Sequence, residues 1–204
     1  MKAKIFKRKI KIEELSEKDL KLAKEFRDYN NSLIEEEAPI CLFDRKISSK
    51  EAKEWIKRDL QKIKNKRMVV LLAKDKNKLI GLADIALYGG FQNHVGELGI
   101  SVRKEYRGMG LGKYLMKEIL NLAKRKLKPK PKIIRLSVFS TNKTAQNLYR
   151  KFGFKTVAKI PKQIQYKGKL IDEVVMIKEI WKELKRKFGQ DIKKYGLQII
   201  SLWD

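Results

Sequence analysis

The chain has 204 residues, the length of one generous domain or two very small ones. Its 50 lysine and arginine residues against 24 aspartate and glutamate residues give a formal net charge of +26. A hydrophobic fraction of 43% argues against intrinsic disorder, the single cysteine excludes an intramolecular disulfide, and no apolar run approaches the roughly 20 residues that span a bilayer. These features predict a soluble, cytoplasmic domain of the α/β type.

The N-terminal third of the chain predicts one strand followed by two helices. Alternating apolar residues favour a strand from about 5 to 12. Ser16 and Asp19 have the spacing of a capping box that opens the first helix, and Ser48 and Glu51 repeat that spacing before the second. Apolar residues then recur at helical spacing, which predicts two amphipathic helices.

The chain from about 66 to 180 predicts six strands and two helices, without an internal repeat or a linker. The predicted element order over the whole domain is therefore β-α-α-β-β-β-α-β-α-β-β. The predicted strands lie at about 68–73, 79–88, 94–102, 133–139, 154–166 and 170–177, and the helices at 111–126 and 142–152.

The last segment, 181–204, predicts a helical stretch followed by an apolar end. Such an end should be covered, either by its own domain or by the partner subunit of a homodimer. We therefore divide the chain into a domain at 1–180 and a C-terminal extension at 181–204.

The net charge has two interpretations. A basic field attracts any polyanion, including RNA, DNA and acidic proteins. The lysines are spread over the whole chain and are not gathered in one tail, which favours a solvated surface of the kind found in lysine-rich proteomes. Dedicated nucleic-acid binding is the alternative.

The segment from Glu97 to Leu115 carries the strongest chemical signal. It predicts a strand, a turn with glycines at 108, 110 and 112, and then a helix. Glycine lets the backbone approach a ligand closely and adopt a positive φ. The start of the helix presents unpaired N–H groups and the positive end of the helix dipole. Together these features predict a site for a phosphate or pyrophosphate.

Two common phosphate-binding motifs do not fit this turn. A P-loop would need glycine where Arg107 stands and serine or threonine where Tyr114 stands. A dinucleotide fingerprint would need glycine at Lys113, and the turn follows several strands instead of opening a βαβ unit.

The turn and two further motifs resemble the GNAT superfamily of acyl-CoA N-acyltransferases. The signature Arg/Gln-x-x-Gly-x-Gly/Ala is met at 107–112. Residues 97–103 are similar to the family's fourth strand, and 142–154 to its Asn-x-x-Ala-x-x-Leu-Tyr segment before a Gly-Phe pair. Residues 167–176 resemble a frequent last hairpin of the family. The element order agrees over about 5–178, and the ribosomal-protein N-terminal acetyltransferases are a similar branch.

The resemblance implies an α/β (α+β) fold. Its central sheet would be mixed and mostly antiparallel, with helices on both faces and a splay between the fourth and fifth predicted strands. The implied activity is acetyl transfer from acetyl-CoA to a primary amine, which could be a protein N-terminus or lysine, a polyamine or an amino acid. A basic protein that binds nucleic acid or the ribosome on this fold, with little catalytic activity, is the alternative.

The resemblance also implies which residues would bind acetyl-CoA. Main-chain groups of Ile100, Ser101 and Val102 would pair with the pantetheine arm, and Asn142 would bind the arm from the following helix. The amides that would hold the pyrophosphate belong to Arg107, Gly108, Met109, Gly110, Leu111, Gly112 and Lys113. The basic residues flanking this turn are Arg103, Lys104, Arg107 and Lys113.

Two residues are candidates for acid–base catalysis. Alkyl amines are protonated at pH 7, so a base must remove a proton before the amine can attack, and Glu97 is our candidate. Tyr149 would protonate the leaving thiolate, although it also lies on the apolar face of its helix. Asp84 is a second carboxylate, while Ser137 stands where the similar branch can carry a glutamate. With His94 as the only histidine, we predict no metal site.

Overall fold

A single eight-stranded sheet organises the computed structural model, which describes residues 2–5, 8–39 and 45–180. The predicted extension at 181–204 lies outside the described residues. The elements, in chain order, are β1 (Lys2–Ile5), β2 (Arg8–Glu14), α1 (Ala23–Glu35), α2 (Ser49–Lys64), β3 (Met68–Asp75), β4 (Lys78–Leu87), β5 (Val95–Val102), α3 (Leu111–Lys126), β6 (Ile133–Phe139), α4 (Lys143–Lys151), β7 (Lys155–Tyr166) and β8 (Lys169–Glu179).

The strand order across the sheet is β1-β2-β3-β4-β5-β6-β8-β7. All neighbouring strands are antiparallel except β5 and β6, which run parallel and are joined by a crossover through α3. This arrangement confirms the mixed, mostly antiparallel sheet that the sequence predicts.

The parallel strands β5 and β6 pair over only part of their length. Three residue pairs join them, from Val95 opposite Ile133 to Glu97 opposite Arg135. Beyond this point β5 runs on to Val102 and β6 to Phe139 without further pairing between the two. The predicted splay between the fourth and fifth predicted strands is therefore confirmed.

Helices cover both faces of the sheet. One core contains α1 and α2 side chains such as Phe26 and Ile56 and includes Leu72 of β3. The other contains Leu115 of α3 and Leu71 of β3. Because both faces of β3 are covered, its sequence is a nearly continuous apolar run, as a doubly buried strand requires. In the described residues, no helix is both long and apolar enough to cross a bilayer.

Two local predictions differ from the structure. The strand predicted at 5–12 is two antiparallel strands, β1 and β2, with Ile5 opposite Arg8. Basic residues are spread through both strands and no glycine or proline marks the change of direction, so the sequence pattern does not reveal it. The first helix begins with a 3₁₀ turn, Glu17–Leu22, before α1.

Asp19 explains this irregular start. Its carboxylate accepts hydrogen bonds from the backbone N–H (2.9 Å) and Oγ (3.0 Å) of Ser16, so the predicted capping box is present. The side chain is 1% exposed and also binds the Nζ of Lys74 at 2.8 Å. Glu13 accepts a second bond from Lys74 at 2.6 Å. The helix start is thereby fastened to β2 and β3.

Candidate active site

A cleft of about 290 Å³ opens where β5 and β6 separate. Five of the residues to which the sequence assigns a catalytic or acetyl-CoA-binding role line it: Glu97, Ile100, Ser101, Asn142 and Tyr149. Asp84 of β4 and Ser137 of β6 line it as well. The sheet therefore brings together both predicted catalytic residues and part of the predicted acetyl-CoA site.

The backbone of β5 has one edge turned toward this cleft. Tyr88 donates its N–H to Val95 and Arg103 donates its N–H to Ile80, so odd-numbered residues of β5 form the hydrogen-bonded pairs with β4. By this alternation, the main-chain groups of the even-numbered residues face β6, where the ladder ends. These residues are Leu98, Ile100 and Val102.

This alternation separates three residues that the resemblance treats together. Ile100 and Val102 have main-chain groups toward the gap, whereas Ser101 faces Leu82 of β4. The Oγ of Ser101 lies 2.8 Å from the Oη of Tyr29, so its side chain is tied to α1. Leu98 has main-chain groups toward the gap, as Ile100 and Val102 do. The sequence did not single it out, because only the strand register identifies the open edge.

The glycine turn leads directly into α3. Gly108 and Gly110 adopt φ values of 73° and 85°, and a Cβ on either would meet no atom within 4 Å. Gly110 is the N-cap of α3, so the first amides of the helix have no intrahelical acceptor. Gly112 lies inside the helix, where a Cβ would sit 3.7 Å from Leu148 of α4. The turn thus offers open space beside the positive end of a helix.

The basic residues flanking the turn have different environments. Arg103 is 7% exposed, donates its Nε to the carbonyl of Leu79 at 2.7 Å and donates Nη1 to Ser32 at 2.7 Å. It is therefore a structural residue and does not face a ligand at the turn. Lys104 and Lys113 are exposed.

Arg107 connects the turn to neighbouring segments. Its Nε donates to the carbonyl of Val102 at 2.8 Å, and its guanidinium forms an ion pair with Glu36. Its own N–H donates to the carbonyl of Lys104 at 3.2 Å, so this predicted pyrophosphate-binding amide is engaged within the protein.

Glu97 is held by two neighbours. The Oη of Tyr88 donates to its Oε2 at 2.5 Å, and Nη1 of Arg135 lies 3.8 Å from the same oxygen. Arg135 also donates to the Oη of Tyr88 at 2.8 Å. Burial, followed by the hydrogen bond to Glu97, raises the pKa of Tyr88 above its usual value. The carboxylate therefore has a fixed position at the start of the splay.

Asp84 lies on β4 directly opposite Gly99 of β5. A Cβ on Gly99 would lie 2.5 Å from Oδ1 of Asp84, so the carboxylate occupies the space that the missing side chain leaves. Desolvation, together with the negative charges of Asp59 and Glu97 and against the positive charge of Lys62, raises the pKa of Asp84 to about 7. This side chain faces the cleft and not open solvent.

Tyr149 and Asn142 enter the cleft from α4. Tyr149 is 7% exposed and its ring centroid lies 6.0 Å from that of Phe154, so it is both a core residue and a wall of the cleft. Asn142 accepts the N–H of Ala145 as the N-cap of α4 and donates to the carbonyl of Pro39 at 3.0 Å. Its side chain thus joins α4 to the segment after α1.

The segment after α1 closes one side of the cleft. The last residue of α1 and the first two acidic residues of the segment are ion-paired: Glu35 with Lys46, Glu36 with Arg107, and Glu37 with Lys167. The Oη of Tyr166 also donates to the carbonyl of Glu37 at 2.7 Å. These contacts fasten the segment to the glycine turn and to the last hairpin.

The comparisons with known proteins agree with this geometry. The model of the acetyltransferase (GNAT) family matches residues 27–154, which is more than half of the chain, and the protein therefore belongs to this family. Proteins of this family use acetyl-CoA as the acyl donor. A search of curated proteins finds no match.

Several solved structures share the fold. A GNAT acetyltransferase from Streptococcus pneumoniae is 26% identical, with a TM-score of 0.73 over 84% of this chain and 99% of that one. A putative acetyltransferase from Salmonella typhimurium, solved with acetyl-CoA, is 18% identical, with a TM-score of 0.69 over 84% and 94%. A ribosomal-protein-S5-alanine acetyltransferase from Vibrio fischeri is 17% identical, with a TM-score of 0.71 over 83% and 92%.

The site has the features that acetyl-CoA requires. An extended pantetheine arm can pair with the open edge of β5 as a strand would. The pyrophosphate suits the open space at Gly108 and Gly110 beside the start of α3. In the described residues, no three His, Cys, Asp or Glu side chains are grouped to hold a metal ion.

Proposed function

We propose that this protein transfers an acetyl group from acetyl-CoA to a primary amine by direct attack of the amine on the thioester. One observation carries the proposal: the splay between β5 and β6 brings Glu97 and Tyr149 into the same cleft, beside the open backbone edge of β5. This combination provides a base, an acid and a donor-binding edge at one place.

The donor would lie along β5 and reach the glycine turn. Main-chain groups of Leu98 and Ile100 and the N–H of Val102 are available for the pantetheine arm, since the carbonyl of Val102 accepts from Arg107. Amides from Gly108 to Lys113 are available for the pyrophosphate. Asn142 stands at the start of α4, where its side chain can contact the arm if it releases Pro39. Positioning of the amine against the thioester contributes most of the rate enhancement, because the thioester is already activated.

The chemical step removes two protons from the acceptor nitrogen and supplies one proton to the leaving sulfur. Glu97, directly or through a water, takes a proton from the ammonium group and leaves a neutral amine. The amine nitrogen forms a bond to the thioester carbon, and main-chain N–H groups of the splayed β5 stabilise the oxyanion. The C–S bond then breaks, and Tyr149 gives its proton to the thiolate. The nitrogen, now bonded to the acetyl carbon, gives its second proton to the Tyr149 phenolate and becomes the amide. The first proton, on Glu97, passes to solvent.

A protein N-terminus, a lysine, a polyamine and an amino acid are all suitable acceptors. The similarity to the Vibrio fischeri protein supports a ribosomal protein among these, and the charge of +26 suits an acceptor bound in an acidic environment. A screen with labelled acetyl-CoA over peptides, polyamines and amino acids identifies the acceptor.

The substitution Tyr149→Phe tests the proposed acid. Because it removes only the phenolic oxygen, it should lower kcat about 100-fold, the scale of general acid catalysis, and change the Kd for acetyl-CoA less than about twofold. Steady-state kinetics and calorimetry measure the two effects. Unchanged turnover would remove Tyr149 from the mechanism.

The nucleic-acid alternative predicts a different outcome. A basic binding protein with a vestigial site would not bind acetyl-CoA and would bind RNA with a steep dependence on salt. Calorimetry with acetyl-CoA and gel shifts with RNA, performed on the same protein, distinguish the two functions.

A further inference from the structure

We propose that Asp84 binds the ammonium group of the acceptor, so that the cleft selects cationic primary amines, while Glu97 takes the proton. Asp84 is then a specificity-determining residue and Glu97 the base. This inference rests on the acetyl transfer proposed above.

The strand register puts the two carboxylates on the same face of the sheet. Asp84 is opposite Gly99 and Ala86 is opposite Glu97, so Asp84 and Glu97 are diagonal neighbours across β4 and β5. The two residues of such a diagonal pair are about 7–8 Å apart, so their side chains can contact the same ligand group. Both line the cleft that also contains Tyr149.

Gly99 is the reason that Asp84 can reach this position. Its missing side chain leaves the space that Oδ1 occupies, since a Cβ there would be only 2.5 Å away. Any larger residue would displace the carboxylate. Gly99 therefore allows the carboxylate of Asp84 to take this position, and it also leaves the surface of β5 open in the cleft.

Asp84 differs from the other acids around the cleft in having no partner among the described residues. Glu36 and Glu37 form ion pairs, and Glu97 is held by Tyr88 and Arg135. In the part of the chain that the structure describes, the carboxylate of Asp84 makes no hydrogen bond or ion pair. Asp84 is half-buried at the wall of the cleft, and a ligand that supplies N–H groups would stabilise its carboxylate.

The chemistry of this position fits an ammonium group. An ammonium carries three N–H donors and one positive charge, so it can bind Asp84 and Glu97 together. A carboxylate or phosphate would be repelled, and an alcohol would supply one donor and no charge. The cleft should therefore take a primary amine in its charged form, before Glu97 removes the proton.

The charges facing Asp84 determine how this site responds to pH. Asp59 and Lys62 face it from α2, and Glu97 faces it from β5. Removal from water, with the two acids, raises the pKa of Asp84 to about 7, against the effect of Lys62. Below this pH the carboxyl is protonated and loses its attraction for a cation. The KM for the acceptor should rise as the pH falls through 7.

A direct binding experiment uses the wild-type protein. The carboxyl carbon of Asp84 is followed by ¹³C NMR over a pH titration, with n-butylammonium chloride or with tetramethylammonium chloride at equal ionic strength. We expect n-butylammonium to lower the pKa of Asp84 by at least about half a unit, because a bound cation favours the carboxylate. Tetramethylammonium, which has no N–H donor, should have less effect. Equal effects of the two salts would overturn the proposal.

The substitution Asp84→Asn tests the same role in catalysis. With the amine identified by the acceptor screen, we expect the KM for that amine to rise about tenfold and to lose its pH dependence near 7, while the Kd for acetyl-CoA is unchanged. Glu97→Gln should instead lower kcat. Glu54→Gln, which removes an equal charge from the exposed face of α2, is the matched control and should change neither constant. An unchanged KM in Asp84→Asn would overturn the proposal.

The two experiments also separate this inference from the proposed function. If the screen finds no amine that is acetylated, acetyl transfer to amines fails whatever the NMR titration gives. If amines are acetylated but either the titration or Asp84→Asn gives the overturning result, only the role of Asp84 fails.

Discussion

Single residues in the cleft show how neighbours determine what a carboxylate can do. Glu97 has a phenol and a guanidinium in contact, whereas Asp84 has a glycine opposite and no protein donor among the described residues. Both are acids on adjacent strands, but their surroundings fit them to different tasks. One is fixed in position, and the other is left to bind a ligand.

The substitution Gly99→Ala tests whether Gly99 positions Asp84, because it adds one methyl group opposite the carboxylate. The new Cβ would lie 2.5 Å from Oδ1 of Asp84, so the carboxylate must move. We expect the acceptor KM to rise severalfold while the melting temperature changes little, since the side chain can shift into the cleft. Gly89→Ala is the matched control, because a Cβ there meets no atom within 4 Å. A KM equal to that of the control would contradict the prediction.

The sequence predicts some of these residues and not others. Glu97 and Tyr149 are found because each lies within a recognisable motif, and the structure brings both to one cleft. Leu98 and Gly99 are missed, because their importance depends on which edge and which face of β5 remain open. That information lies in the register of β4 and β5, which a single sequence does not specify.

At the scale of elements, the order of strands and helices follows from periodicity and capping residues. Ser48 and Glu51 form the predicted capping box at the start of α2, with bonds of 2.8 and 3.2 Å. The splay itself is confirmed, but its starting point after Glu97 is not visible in the sequence. Pairing ends there because β5 and β6 diverge in space. The two strands are far apart along the chain, so local sequence patterns do not reveal where they separate.

The contact between β2, β3 and the 3₁₀ turn gives a prediction about stability. Lys74 is buried and binds both Asp19 and Glu13, so Lys74→Met should leave Asp19 as a buried, unpaired charge. We expect the free energy of unfolding at pH 7 to fall by about 3 kcal/mol, measured by urea denaturation. Lys57→Met removes an exposed lysine paired with Glu54 and should cost less than about 1 kcal/mol. Equal losses in the two variants would contradict this role of Lys74.

The same contact gives a direction for the pH dependence of stability. Burial raises the pKa of Glu13, but hydrogen bonds from Lys11 and Lys74 outweigh it and lower the pKa to about 2. A pKa lower in the folded than in the unfolded chain means that stability is present above about 4.5 and is lost as the pH falls toward 2. This loss should be smaller in Lys74→Met, in which one of the two hydrogen bonds is absent.

At the scale of the whole molecule, we expect the net charge to have little part in binding the donor. Of the basic residues beside the turn, Arg103 is buried in structural contacts and Arg107 is paired with Glu36. We therefore expect the Kd for acetyl-CoA to rise by less than about tenfold between 50 and 200 mM salt, measured by calorimetry. A loss of about 1,000-fold or more, typical of many phosphate contacts, would instead assign the charge a direct role in binding.

The strand order has a consequence for the time at which the cleft forms. β6 is joined to β5 by three residue pairs and to β8 by seven, and β8 is the last strand in chain order among the described residues. During synthesis, from the N-terminus onward, β6 therefore lacks most of its hydrogen-bonding partners until Glu179 has left the ribosome. The wall of the cleft that carries Ser137 is completed last. A nascent chain that stops before β8 has the glycine turn and both carboxylates, but no stable cleft in which to use them.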